Sequence, residues 1–469
     1  MSIFLASGQS CVQAVQQAIA STEKFSHLNA FVEVFADAAR KRARELDQKV
    51  AIDPSSAGRL FGAIISIKDV IAYRGHSLTA ASKMLEGFES VFSATAIERV
   101  LAEDAIIIGR TNCDEFAMGS DNRTSVYGPT RNAIDEQRVP GGSSGGAAVS
   151  VQMDACHVAL ASDTGGSVRQ PASFCGVIDF KPSYGRISRH GLIAYGSSFD
   201  QIGLIGRSSR QIWEVYDVIH GQDDHDSTLV SRQDYPDLSM EDRPLRIGYL
   251  KQALDHPALQ TEIKDDISAL QRSLVEQGHE LISLDLPQFN YVIPAYYVLT
   301  SAEASSNLSR YDGVRYGHRA DGAGSLDKLY TQSRTAGFGD EVKRRILLGT
   351  FVLSYGYYDA YYGKAQKVRR QIKDALDGMF EKVDVILLPT APTVAWSLDA
   401  EMGPVEVYLA DVYSVLANLA GLPAISMPLG EDKDLLPYGL QCLGPAYQER
   451  KLMDICSTIP QFPSNRSVS

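Results

Sequence analysis

Residues 140–171 read PGGSSGGAAVSVQMDACHVALASDTGGSVRQP and are the most informative part of the chain. A loop rich in glycine and serine fills 140–146, a helix of small residues begins at Ala147, and a second break follows at 162–167. Glycine lets backbone N–H groups approach a reacting atom closely, and successive N–H groups in a turn form a concave anion site. The segment therefore predicts two functional loops on either side of a short helix.

Strand and helix signals alternate on both sides of these loops. The isoleucines in 61–70 predict a strand that ends near Lys68, residues 94–103 a helix, and 105–109 a second strand. Further strands are expected at 245–250 and 385–388, with a helix-rich stretch between them, and the first 50 residues are expected to be helical. The alternation predicts an α/β fold with helices on both faces of a sheet.

Length and composition limit the class of protein. A chain of 469 residues can form two domains or one large α/β domain, with 223–243 as a polar segment and 463–469 as a frayed tail. The net charge of −12 disfavours independent nucleic-acid binding. No signal peptide or long apolar run is visible, so we expect a cytoplasmic protein outside the membrane. The six cysteines are scattered without metal-ligand spacing, which predicts reduced thiols and no metal site.

The two loops allow more than one interpretation. If Ser167 is a nucleophile, the N–H groups of Thr164, Gly165, Gly166 and Ser167 itself are placed to stabilise an oxyanion. Residues 141–145 also satisfy G-x-S-x-G, which makes Ser143 the alternative nucleophile with a later Asp and His. Both loops could instead be tight turns or a phosphate cradle, although no P-loop motif is present.

Lys68 decides between these interpretations. It ends an apolar strand, where a lysine is rare, and 24 residues separate Ser143 from Ser167. Together, Lys68 and the two loops resemble the amidase signature family, over residues 28 to 445. The resemblance implies a single domain over 1–469 with a large mixed central sheet: N-terminal helices in 1–60, a signature core in 61–210, and the rest of the core with a helical substrate-side region in 244–445.

The same resemblance implies a Ser-Ser-Lys triad. Ser167 is then the nucleophile, Ser143 the bridging serine near a cis peptide, and Lys68 the base. A lysine with an ordinary pKa near ~10.4 is about four parts in ten thousand neutral at pH 7. Burial favours the neutral form, so the mechanism requires Lys68 to be buried.

Longer stretches resemble one branch of the family, the glutamine-hydrolysing A subunits of tRNA-dependent amidotransferases. The stretches are 181–203, 301–319 and 338–369. The branch implies a heterotrimer in which this chain releases ammonia from glutamine and the partner B and C subunits use it to convert Glu-tRNA(Gln) to Gln-tRNA(Gln). It places tRNA contacts, ATP and Mg²⁺ mainly on the partner and implies no cofactor in this chain. Asp-tRNA(Asn) as the acceptor, a stand-alone amidase and an inactive scaffold remain alternatives.

The branch also implies residues that bind glutamine. Arg344 matches the carboxylate-binding arginine, with the adjacent Arg345 as the fallback, because a guanidinium fork suits a carboxylate. Asp411 matches the ammonium-binding acid, although it could instead cap a helix near residue 412. Met118 and Ser125 match positions that line the amide pocket.

The sequence departs from the family pattern at three places. Cys113 stands where Met is usual, Asn122-Arg123 replaces a more acidic pair, and Asp179 interrupts an apolar run. None of them belongs to the triad, so the departures concern the pocket wall rather than the reaction.

Overall fold

The computed structural model describes residues 2–231, 235 and 238–460. The predicted tail at 463–469 and part of the polar segment 223–243 lie outside the described residues. Eleven strands are present in this part of the chain. The strands are β1 (Phe31–Val34), β2 (Ile64–Lys68), β3 (Ile106–Thr111), β4 (Val158–Asp163), β5 (Ile178–Phe180), β6 (Gln201–Gly206), β7 (Arg246–Leu250), β8 (Glu280–Leu284), β9 (Val385–Pro389), β10 (Ala424–Glu431) and β11 (Pro437–Leu443).

Fifteen α-helices surround the strands in the described ranges. The helices are α1 (Cys11–Lys24), α2 (Ala36–Ile52), α3 (Thr95–Ala102), α4 (Gly145–Gln152), α5 (Arg169–Cys175), α6 (Ser209–Ile219), α7 (Lys251–Leu254), α8 (Thr261–Glu276), α9 (Val292–Asn307), α10 (Leu326–Gly337), α11 (Asp340–Val352), α12 (Lys364–Phe380), α13 (Pro404–Leu409), α14 (Val415–Ala420) and α15 (Glu449–Thr458). A π-helical segment, Tyr358–Gly363, precedes α12. None of the helices in the described ranges has the length and apolarity needed to cross a bilayer.

The strands form two mixed sheets. The first has the order β1-β3-β2-β4-β6-β5 and the second the order β10-β11-β9-β7-β8. They meet edge to edge beyond β5, where Lys181 and Ala424 exchange two backbone hydrogen bonds of 2.8 Å. The predicted large mixed sheet is therefore present as two sections joined by one bridge.

The predicted elements fall close to the observed ones. The strand expected at 61–70 is β2, the helix expected at 94–103 is α3, and the small-residue helix begins at Gly145 as α4. The expectation that the first 50 residues are all helical is incomplete, because β1 lies between α1 and α2 and pairs antiparallel with β3. This four-residue strand is too short to show clear alternation in the sequence.

Lys68 and the two glycine-rich loops lie at one edge of the first sheet. Strands β2, β3 and β4 are parallel, so their carboxyl ends lie together, at Lys68, Thr111 and Asp163. The loop 140–146 leads into α4, which packs on β4, and the loop after β4 leads into α5. Ligands of α/β sheets commonly bind where strands end in this way.

Candidate active site

Lys68 lies in a fully buried cage of serine hydroxyls. Its Nζ is 2.7 Å from Ser143 Oγ and 2.9 Å from both Ser144 Oγ and Ser162 Oγ. The Ser144 hydroxyl donates its hydrogen to the Ser162 carbonyl at 3.2 Å, so towards Lys68 it can only accept. No carboxylate forms an ion pair with Lys68 within the described ranges. A neutral amine suits this cage, because it can donate two hydrogens and accept one from Ser143.

Burial also sets the protonation of this lysine. Desolvation lowers the pKa of Lys68 to about 8, against the partial opposition of nearby acidic groups that include Asp114, Asp163 and Asp200. About one-tenth of the molecules then carry the free base at pH 7, compared with roughly one in three thousand at the ordinary value. Lys68 can therefore accept a proton near neutral pH.

The loop after β4 is held by the buried Asp163 carboxylate. It accepts hydrogen bonds from the N–H groups of Gly166 at 3.0 Å and Val168 at 3.2 Å, the two residues that flank Ser167. Arg169 donates to both carboxylate oxygens, at 2.8 and 3.1 Å. Burial alone would raise the pKa of Asp163, but Arg169 outweighs it and the pKa falls to about 2. The turn that carries Ser167 is therefore fixed by a permanent charge.

Two serines of the predicted triad differ in accessibility. Ser143 is completely buried and follows a cis peptide bond after Gly142, as the resemblance implies, whereas Ser167 is 9% exposed. The two loops are tied together where Gly142 N–H donates to Gln170 Oε1 at 2.9 Å. The Ser167 hydroxyl makes no hydrogen bond with the described part of the chain. It is therefore free to meet a substrate.

Backbone donors remain available around Ser167. Among the described residues, the N–H groups of Thr164, Gly165 and Ser167 have no protein acceptor, whereas that of Gly166 is taken by Asp163. The Tyr296 hydroxyl lies against Gly165, where an added Cβ would meet it at 2.3 Å. That hydroxyl also has no hydrogen-bond partner in the described ranges. The loop thus carries several unpaired donors close to Ser167 in the chain.

The two adjacent arginines lie in different environments. Arg344 is half exposed and pairs with Glu341. Arg345 is buried, donates from Nε to Glu341 at 2.8 Å and from Nη1 to Tyr195 Oη at 2.6 Å, and lies beside the rings of Tyr195, Tyr297 and Tyr408. Its Nη2 has no hydrogen-bond acceptor within the residues described. The structure therefore places the fallback residue in the cluster and Arg344 outside it.

Asp411 belongs to the same cluster as Arg345. Its carboxylate accepts from Tyr297 Oη at 3.0 Å and from Ser120 Oγ at 3.1 Å. Burial raises the pKa of Asp411 to about 7. The alternative role as a helix cap is not seen, because Ser414 is the residue before α14 and the Asp411 side chain accepts no backbone N–H. A buried acid beside a buried arginine can bind a zwitterion.

Met118 and Ser125, the other two predicted pocket residues, form no hydrogen bond with Arg345 or Asp411 within the described ranges. Met118 is completely buried, two residues before the Ser120 that contacts Asp411. Ser125 donates to Asn112 Oδ1 at 2.6 Å and accepts from Tyr127 N–H, so its hydroxyl is already engaged. Their predicted roles stay predictions.

Neither the elbow interpretation nor a metal site gains support from the geometry. No histidine donates to or accepts from Ser143 or Ser167 in the described ranges. Within the same ranges, no group of three or more His, Cys, Asp or Glu side chains is placed to hold a metal ion. All six cysteines are buried free thiols.

Reasoning from the sequence missed several residues of this site. Four of them lie inside the stretch 140–171, where the motif is visible in the sequence, whereas the others enter the site from other segments of the chain. The missed residues are Ser120, Ser144, Ser162, Asp163, Arg169, Tyr195, Tyr296, Tyr297, Glu341 and Tyr408.

Sequence comparisons with known proteins find relatives that match nearly the whole chain. A family model described as Amidase matches residues 11–453. The chain is 48% identical over 465 residues to the A subunit of glutamyl-tRNA(Gln) amidotransferase from Chlorobaculum parvum, with 96% of each chain covered. It is also 48% identical over 436 residues to the protein of that name from Fusobacterium nucleatum, with 92% of this chain and 89% of the relative covered.

Solved structures share the fold. The crystal structure of the A subunit of glutamyl-tRNA(Gln) amidotransferase from Thermotoga maritima has a TM-score of 0.80 at 35% identity, with 100% of this chain and 98% of that chain covered. A bacterial aryl acylamidase has the same TM-score at 23% identity, with 95% and 91% covered, which shows a common fold alone. The predicted α/β fold is confirmed.

Proposed function

This chain belongs to the amidase family, as Lys68 and the two glycine-rich loops predict, and from that membership we propose that it is the glutamine-hydrolysing A subunit of a tRNA-dependent amidotransferase. One observation carries the proposal. A buried arginine, Arg345, and a buried acid, Asp411, share the partner Tyr297 near the loop that bears Ser167. A simple amide needs neither charge, whereas glutamine has both an α-carboxylate and an α-ammonium group to be bound.

The reaction begins with the removal of the Ser167 proton. Ser143 Oγ takes that proton while its own hydrogen passes to the free amine of Lys68, 2.7 Å away. Ser167 Oγ attacks the side-chain amide carbon of glutamine and forms a tetrahedral intermediate. The proton then returns through Ser143 from Lys68 to the amide nitrogen, ammonia leaves, and a glutamyl ester remains on Ser167. Water hydrolyses the ester by the same relay and releases glutamate.

The loop stabilises the charge that develops on the amide oxygen. We assign this role to the free N–H groups of Thr164, Gly165 and Ser167, while the Gly166 N–H holds the turn through Asp163. Removing one such donor commonly lowers kcat by about 10²–10³. Because Asp163 is a permanent anion fixed by Arg169, the donors need little reorganisation as the intermediate forms.

We assign recognition of the glutamine carboxylate to Arg345 rather than to Arg344. Arg345 is buried with Nη2 free, whereas Arg344 lies at the surface and pairs with Glu341. Asp411 binds the ammonium group, and Met118 and Ser125 line the amide pocket. The free Tyr296 hydroxyl beside Gly165 is a further donor to the bound amino acid.

The amidotransferase role requires partners. We propose the B and C subunits as partners in a cytoplasmic heterotrimer, with tRNA, ATP and Mg²⁺ held mainly by the partner and no cofactor in this chain. The net charge of −12 supports this division, because nucleic-acid affinity comes mainly from Lys and Arg that neutralise phosphates.

The test compares the chain alone with the complex co-purified from its own cells. Ser167→Ala should abolish glutamine hydrolysis while thermal unfolding stays unchanged, and Ser143→Ala should lower it by several orders of magnitude. Filter binding at physiological salt should detect tRNA only when the partner is present. A Ser167→Ala protein with near-normal turnover would refute the mechanism. Efficient hydrolysis of simple amides without a partner would favour a stand-alone amidase, and no hydrolysis with any partner would favour an inactive scaffold.

A further inference from the structure

A group of exposed apolar side chains lies on the outer face of α11 and on the segment that follows this helix. Its side chains are large, exposed and close together in the chain; Leu347 is 69% and Tyr355 fully exposed. Isolated surface apolar residues are normal, but a contiguous patch of this kind marks an interaction site. We call it the outer patch, and it consists of Leu347, Leu348, Phe351, Leu353, Tyr355, Tyr357, Tyr358 and Tyr361.

Three aromatic rings of the outer patch contact one another. Phe351 lies 4.3 Å from Tyr357 and 5.8 Å from Tyr361, measured between ring centroids. Between residues 346 and 363 the only charged side chain is Asp359. Phe351, Tyr357 and Tyr361 therefore form one aromatic cluster within the patch.

The three patch residues on α11, Leu347, Leu348 and Phe351, cannot turn inward to join the core of this chain. The opposite face of α11 is buried through Val342, Arg345, Gly349 and Val352. Gly349 lies so close to α9 that an added Cβ would be 1.9 Å from the Ser301 carbonyl oxygen. With that face fixed, the apolar side chains stay at the surface unless another molecule covers them.

The charges beside the patch indicate what covers it. Lys364 and Lys367 at the start of α12 lie at the surface, and neither forms an ion pair within the described ranges. Counted with Asp359, the two lysines leave this surface with a small excess of positive charge, in a chain whose net charge is −12. The outer patch therefore complements a partner surface that is apolar and has acidic groups at the edge. A second copy of this chain would bring the same lysines against each other.

We propose that the outer patch docks the protein partner that receives the ammonia, through an apolar surface bordered by carboxylates. This inference rests on the proposed function. The same helix carries Arg345 on its inner face and Leu347 on its outer face, so a partner bound there lies directly over the element that binds glutamine. Docking at this position therefore links the partner to the glutamine site through α11.

The test uses the full chain and the partner co-purified with it. Leu347→Glu and Tyr355→Ser should each weaken association at least about tenfold, as expected for central interface residues. The matched controls are Ile52→Glu and Tyr291→Ser, which change exposed apolar and tyrosine side chains elsewhere, and both should associate like the wild type. Lys364→Glu should weaken association most at low salt. Hydrogen exchange should slow at 347–361 when the partner binds.

The outcomes separate this inference from the proposed function. Each variant should unfold at the wild-type temperature and hydrolyse glutamine at the wild-type rate when alone. If the wild-type complex hydrolyses glutamine but Leu347→Glu and Tyr355→Ser associate normally, the docking surface is wrong and the function stands. If the wild-type complex does not hydrolyse glutamine, the function fails. Loss of self-association, or of binding to anionic vesicles, without loss of partner binding would also overturn the proposal.

Discussion

The pH dependence of kcat tests the Lys68 mechanism most directly. Burial lowers the pKa of Lys68 to about 8, so the free base should become the major form above that pH. At saturating glutamine, log kcat should rise with a slope near one from pH 6 and level off above pH 8. The shift from the ordinary value corresponds to about 3 kcal/mol of preference for the neutral amine and to roughly a 300-fold larger free-base fraction at pH 7.

The variant Lys68→Arg gives the comparison. Arginine stays protonated from pH 6 to 9.5, so it cannot act as a base. Loss of general-base catalysis commonly lowers kcat by about 10²–10⁴. We expect the kcat of Lys68→Arg to fall by at least that factor and to lose its dependence on pH. The assay measures ammonia release at saturating glutamine from pH 6 to 9.5.

Two results would refute this reasoning. One is a wild-type kcat that stays constant over this range, and the other is a Lys68→Arg protein with near-normal turnover. Asp411→Asn serves as the control, because Asp411 acts in binding and its loss should leave the kcat profile unchanged at saturation. If a single histidine substitution were as damaging as Lys68→Arg, Ser143 would become the candidate nucleophile.

Further predictions concern substrate binding, stability and metal. Arg345→Lys should raise KM for glutamine at least about tenfold through loss of the fork, whereas Arg344→Lys should change it little; equal effects would contradict the assignment. Because burial raises the pKa of Asp411 to about 7, KM should fall as pH rises from 6 to 8, and a flat KM would count against Asp411. Asp179 is buried, and its carboxyl oxygens have no hydrogen-bond partner at normal distance in the described ranges. Burial raises the pKa of Asp179 well above the ordinary value. The folded state therefore loses stability as the pH rises above about 4, where the carboxyl group of the unfolded chain ionises. Asp179→Ala should therefore stabilise the protein at pH 7 by roughly 1–3 kcal/mol, with less gain at pH 4, by chemical denaturation. Glutamine hydrolysis should survive exhaustive dialysis against EDTA, and restoration by zinc of a lost activity would refute this.

Tertiary structure distinguishes the two adjacent arginines, and the role proposed for Arg345 depends on that difference. Arg344 and Arg345 are adjacent in the chain, and no pattern in the sequence separates their roles. Neighbouring residues of a helix point about 100° apart, so only the packing of α11 on α9 decides which one is buried. Here Gly349 lies against Ser301 of α9, and Arg345 is the arginine on the buried face of α11 that Gly349 and Val342 share.

The sequence by itself determined the family and the α/β class, and it supplied Lys68, Ser143 and Ser167 as the proposed triad. These depend on local features, namely glycine-rich turns and a lysine at the end of an apolar strand, whose residue types and spacing remain visible in one dimension. Tertiary structure alone decided the contacts between distant segments, such as Ser120 with Asp411, 291 residues apart, and Tyr296 against Gly165. It also decided that the sheet has two sections joined between Lys181 and Ala424. Such contacts arise from the packing of whole helices and strands. Many buried side chains contribute to the free energy that selects them, so no single sequence motif predicts them.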